Sequence, residues 1–224
     1  MMVVNDPGEF RNGMGALQRS IRLVLLLYAS ENAGLTPIPI LHLHNLAYLS
    51  NVLSPVWKMP TLDGKILKRH GGPFYPSLQH DLDRLVGTGV VLISGISHVL
   101  NEEQRWRLEG TYILNQSFAG RILTFIKESE SDSRLLAFLQ ELAYALSALS
   151  DNDLERATTE DATYSDPIID TGNVIDFGEW RNVNYSSNAA RHFEQLIPGG
   201  GRATRGEMLH LYVHHLHRRL YGGR

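Results

Sequence analysis

The sequence predicts a mainly helical protein with one small β-hairpin, on three observations. Apolar residues recur at helical spacing in most segments. Only "VVLIS" and "RWRLEGTYIL" carry a strand-like enrichment in branched and aromatic residues, and stop signals separate the helical runs. A chain of 224 residues with 43% hydrophobic content is long enough to bury a substantial core.

The elements follow in order. Leu17, Ile21, Val24 and Tyr28 share one side of a first helix, which "ENAG" stops. The prolines of "LTPIPI" delay the next start, after which Leu43, Leu46, Leu49 and Leu53 line a second helix that ends before Pro55. The segment "KMPTLDGKILKRHGGP" reads as a loop or short strand, with turn signals at both ends. A third helix starts near Ser77, aligns Leu78, Leu82, Leu85 and Val86, and closes at Gly87 and Gly89. The two strand-like runs then form a hairpin with "NEEQ" at its tip. Three helices followed by a two-stranded hairpin is the order of a winged helix-turn-helix, expected over residues 1–115. Residues 116–224 are expected to form a helical C-terminal region. It holds "SFAGRILTFIKES", a long helix with Leu135, Leu139, Leu142, Leu146 and Leu149 on one face, a short "NAARHFEQLI" helix and a final "EMLHLYVHHLHRRL" helix. Between them lies an extended arm at 156–185, the longest irregular stretch of the chain.

Composition narrows the function. With no cysteine, disulfides, thiolate catalysis and thiolate zinc sites are excluded. No long apolar run and no leader-like start is seen, so a soluble, cytoplasmic protein with no membrane partner is expected. The net charge of -3 gives no global drive toward nucleic acid. His210, His214 and His217 share a helical stripe that permits metal binding, but a solvated helix beside Arg218 and Arg219 has the same spacing, and no metal is assigned. His42 and His44, two residues apart on a helix, point in different directions. Asp81, Asp83, Asp161, Asp166, Asp170, Asp176 and Glu179 raise a carboxylate hydrolase. No phosphate loop, nucleophile elbow or HExxH motif accompanies them, so no catalytic residue, cofactor or enzymatic activity is expected.

Lys65, Lys68 and Arg69 before the third helix, and Arg105 and Arg107 in the wing, are candidate non-specific DNA contacts. The third helix itself argues against base reading. Its exposed polar positions are taken as Gln79, His80, Asp81, Asp83 and Arg84, and paired aspartates repel a phosphate backbone.

"DATYSDPIIDTGNVIDFGEW" is too apolar for a linker, with Val174, Ile175, Phe177 and Trp180 close together. Two readings stay open: it folds back over its own core, or Phe177 and Trp180 anchor a partner while the carboxylates select a basic surface.

That block, together with "DGKILKRHGGPFYPSLQHDLDRLVGTGVV", "NYSSNAARHF" and "EMLHLYVHHL", resembles the middle component of bacterial ABC three-component systems. That family includes the accessory subunit of Lamassu-type anti-phage defence. The resemblance implies a non-catalytic subunit that joins an SMC/Rad50-like coiled-coil ATPase to a separately encoded effector, often a nuclease, and helps assemble or restrain it. Asp176, Phe177, Trp180 and Tyr185 are the expected docking residues, with Arg218 and Arg219 as a second patch. The alternative is a winged-helix DNA-binding regulator or antitoxin.

Overall fold

The computed structural model describes residues 7–59, 65–69, 71–100, 106–177, 184–193 and 203–222. Helices dominate it, with two small antiparallel sheets. Helix α1 (Pro7–Asn32) outruns its predicted span at both ends. A two-residue strand β1 (Ile38–Pro39) follows, then helix α2 (Ile40–Leu53) and a 3-10 turn, Ser54–Trp57, that carries the chain through Pro55. Strands β2 (Lys65–Arg69) and β3 (Gly72–Phe74) pair as a short hairpin before α3 (Pro76–Gly87), whose Pro76 stands in the first turn, where no N–H is missed.

The long hairpin is β4 (Val91–Leu100) and β5 (Trp106–Leu114), and its tip lies outside the described residues. β1 pairs with the far side of β5 at Ile38↔Tyr112 and Pro39↔Thr111, which gives the sheet order β1-β5-β4. Helices α4 (Gln116–Lys127) and α5 (Glu130–Leu146) come next. α4 is capped by Asn115, whose side chain accepts from the Ser117 N–H.

Two elements fall where an irregular arm was expected. Helix α6 (Asp151–Thr159), capped by Ser150, occupies its start, and β6 (Val174–Asp176) adds to β2 with Ile66↔Ile175 in register. Tertiary pairing makes β6 a strand; three residues carry no pattern of their own. Helices α7 (Tyr185–His192) and α8 (Arg205–Gly222) complete the chain. α8 starts in a capping box, with Thr204 N–H donating to Glu207 and Glu207 N–H donating to Thr204 Oγ1.

One hydrophobic core runs from Leu23 through Leu53, Leu82 and Leu142 to Leu216, so the parts on either side of residue 115 are packed together. Its axis is α2, where every residue from His42 to Leu53 is buried. The sequence assigned α2 a single apolar face. Burial all round forces its polar side chains to find partners inside. Arg22 of α1 donates to Ala47 O and Ser50 Oγ, His42 meets Glu155 at 3.2 Å, and Asn45 Nδ2 donates to Leu154 O. Among the described residues, no helix is long and apolar enough to cross a membrane.

His44 ties α2 to α3. Its Nδ1 accepts from the Tyr75 N–H at 3.3 Å, so the ring proton sits on Nε2, 3.3 Å from Gln79 Oε1. Burial holds its pKa down to about 4, against the pull of the Gln79 hydrogen bond and with help from the Arg69 charge. The unfolded imidazole titrates near 6.5. Between these values the unfolded chain binds a proton that the folded chain refuses, so stability is full above about pH 6.5 and falls as pH drops toward 4. Urea unfolding of the wild type should therefore lose about 3 kcal/mol more than that of His44→Gln between about pH 7 and pH 4. Equal losses in the two proteins would assign the pH dependence elsewhere.

Candidate functional site

The segment 160–177 folds back over the protein's own core, and one carboxylate organises it. Asp161 is fully buried. Its Oδ1 accepts from Tyr48 OH at 2.5 Å, Ser186 Oγ at 2.8 Å and the N–H groups of Thr163 and Tyr164 at 3.0 and 3.2 Å, and its Oδ2 accepts from Tyr212 OH at 2.6 Å. These donors come from α2, α7, α8 and the turn itself, and each is neutral. The two phenols stay protonated because burial, and then the Asp161 charge, raise their pKa values well above the ordinary range. Thr163 and Ser186 lock the same point, with their hydroxyl oxygens 2.6 Å apart.

The rest of the segment clamps β2. Lys68 is buried; its Nζ donates to Asp166 O at 2.9 Å and Ile169 O at 2.7 Å. Tyr164 OH donates to Arg69 O at 2.6 Å and accepts from the Arg69 N–H at 3.0 Å, and burial pushes its pKa up to about 12. Tyr48 meets Tyr164 edge to face and lies against Phe177.

The sequence-predicted docking residues scatter. Phe177 is 3% exposed and packs in the core, so it offers no surface anchor; a hydrophobic side chain this close to Tyr48 lowers its energy by leaving water. Asp176 sits on β6, 3.1 Å from Lys65. Tyr185 is exposed at the start of α7, Arg218 is exposed near the end of α8, and Arg219 is 3.6 Å from Glu160. Trp180 lies outside the described residues.

The candidate DNA contacts separate too. Lys68 is withdrawn from solvent by its two carbonyls, which removes it as a phosphate contact. Lys65 and Arg69 are exposed, and the Arg69 guanidinium lies 3.7 Å from the Phe74 ring. Arg107 is placed on β5 by its backbone pairing with Val99, and Arg105 lies outside the described residues.

The expected exposed acid pair of α3 is also corrected. Asp81 is buried, 2.6 Å from Arg19 Nε and 3.8 Å from Arg84, because its position on the helix faces α1. Asp83, His80 and Arg84 remain outside. The sequence assigned no inward partner to this aspartate, because Arg19 lies 62 residues away.

The histidine stripe of α8 meets carboxylates of other helices: His210 lies 3.6 Å from Glu141 and His217 lies 3.7 Å from Asp153. Asp153 Oδ1 also accepts from Tyr221 OH, and this hydrogen bond, the largest influence, holds the carboxyl below its ordinary range. Among the described residues, no group of three metal-ligating side chains could hold an ion. A shallow cleft of about 560 Å³ opens between Trp57, Glu141, Glu207 and His210.

One surface went unread. α4 buries Ala119, Leu123 and Ile126, yet carries Phe118 and Phe125 exposed on the adjoining face, Phe125 at 76%, with the half-buried Ile122 between them. Their i, i+4, i+7 spacing was legible as a second apolar stripe on a helix that already had one. Compared with known proteins, the chain matches no family model and no curated protein.

Removing the Asp161 carboxylate strands several buried donors, at about 1–3 kcal/mol each. Asp161→Ala should lower stability by at least about 3 kcal/mol in urea unfolding, and Tyr212→Phe, which deletes a single charged hydrogen bond, by about 1.5–3 kcal/mol. A loss below about 1 kcal/mol in Asp161→Ala would show that the junction is not what holds the segment.

Proposed function

We propose that the protein is a non-catalytic accessory subunit of an anti-phage defence complex, docking onto an SMC/Rad50-like ABC ATPase and helping to assemble or restrain a separate effector nuclease. The sequence blocks that resemble the middle component of ABC three-component systems motivate the reading. The observation that carries it is the stripe of α4 in which Phe118 and Phe125 stand exposed on either side of the half-buried Ile122. Two aromatic side chains and an isoleucine along one helical face fit the seam of another helix, and a coiled-coil ATPase offers such seams. Exposed aromatic side chains at this density are more at home in a protein interface than against phosphates.

A winged helix-turn-helix core belongs to the same proposal. Its support is the order α1-β1-α2-α3-β4-β5 with β1 beside β5. A 3-10 turn and the β2–β3 hairpin, in place of a tight turn, separate α2 from α3.

The regulator reading keeps one favourable observation. With Asp81 turned inward onto Arg19, the outer face of α3 presents Arg84 and His80 with a single aspartate, Asp83.

A tagged pull-down from the native locus with mass spectrometry tests the proposal. The wild type should bring down a large coiled-coil ATPase in fixed ratio, and Phe118→Ser with Phe125→Ser should lose it while keeping its urea midpoint, since exposed positions shift stability by about 0.5 kcal/mol or less. Recovery of the protein alone, or with only its promoter DNA in a salt-sensitive complex, would put the regulator first.

A further inference from the structure

The β4–β5 hairpin leaves the core beyond Ser94. Every residue from Gly95 to Leu100 is exposed, Ile96 at 57%, and Trp106, which faces Leu100 across the ladder, is 70% exposed. Among the described residues β4 pairs only with β5, which leaves its other side an edge ten residues long. Natural sheets blunt such edges with charged residues, proline and bulges. "VLISGISHVL" contains no Asp, Glu, Lys, Arg or Pro.

The strand does contain a bulge. The ladder shifts register between Ser94 and Ser97, with Gly95 at φ +61° and Gly110 opposite. A Cβ at Gly110 would stand 3.0 Å from Ile93 Cδ1 and 3.4 Å from Ser94 O, so any larger residue there would displace Ile93 by a few tenths of an ångström. The bulge adds twist without adding charge.

The residue order of β4 is close to its own reverse. Set antiparallel to a copy of itself about a point between Gly95 and Ile96, Val91 falls opposite Leu100, Leu92 opposite Val99, and Ser94 opposite Ser97. Apolar residues meet apolar ones at the two ends, hydroxyls meet hydroxyls, Gly95 makes room for Ile96, and Ile93 falls opposite His98, the one apolar-to-polar pairing of this register.

We propose that β4 pairs antiparallel with β4 of a second copy, joining the two three-stranded sheets into one across a twofold axis. Charge favours a copy over a foreign strand: an uncharged edge meets an equally uncharged one, with no ion left unpaired on either side. Twofold pairing also uses one patch twice, so the inverted residue order serves both strands. With the axis at the bulge, both strands carry the same extra twist at the same place. The dimer is independent of the ATPase-docking face on α4.

The mass of the full chain in solution, by light scattering at tens of micromolar, tests this. The wild type should run at twice the chain mass, and Ile96→Lys with Val99→Lys should run at the chain mass with an unchanged circular dichroism spectrum. Because the chain has no cysteine, introduced thiols report the register. A mixture of Ser94→Cys and Ser97→Cys proteins should form a disulfide-linked pair on oxidation, and neither should alone. A monomeric wild type, a dimer indifferent to both lysines, or thiols that cross-link equally in all mixtures would overturn the proposal.

Discussion

A buried carboxylate surrounded by neutral donors is the constraint on which the C-terminal half depends. An ionised group inside a protein is tolerated only where hydrogen bonds replace its water. Asp161 meets that demand with groups from α2, α7, α8 and its own turn. No one of those elements supplies enough donors, so the charge can be buried only when all of them are in place. The junction thus couples the position of α8 to the position of α2, two helices far apart in sequence. Being directional, its hydrogen bonds fix orientation as well as proximity, which apolar packing alone does not.

The same junction explains why a segment rich in acids and aromatics is structural. Its carboxylates are used one by one: Asp161 at the junction, Asp166 accepting from the Ile168 N–H, Asp176 beside Lys65. Its aromatics gather around Tyr48. Outside this segment, exposed apolar side chains stand on α4, at Phe118 and Phe125, and along β4, at Ile96 and Val99. The proposals for ATPase docking and self-pairing therefore use different faces and fail separately.

Much of the fold was legible. Leu139, Leu142 and Leu146 face the core as their spacing requires, and α3 begins and ends at the signals its sequence carries. The hairpin was legible from β-branched and aromatic content. β1 and β6 were not, because strands of two and three residues have no period, and pairing with β5 and β2 defines them. α6 was hidden by its polar composition, with the Ser150 cap, the acidic first turn and Arg156 in the last turn as its local signs.

The sequence by itself determined most of the helical segments, where most of them stop, and that two runs form a hairpin, because those properties follow from periodicity and capping within a few residues. Tertiary structure alone decided what each polar side chain does. Phe177, for which a core position and a docking position both stood open, packs in the core; Lys68 read as a surface group and is interior; Asp81 read as a repulsive surface charge and is an internal partner of Arg19. The reason is physical: whether a charge or an aromatic ring is buried depends on partners that arrive from distant parts of the chain. Asp161 and Tyr48, 113 residues apart, meet only when the fold is complete.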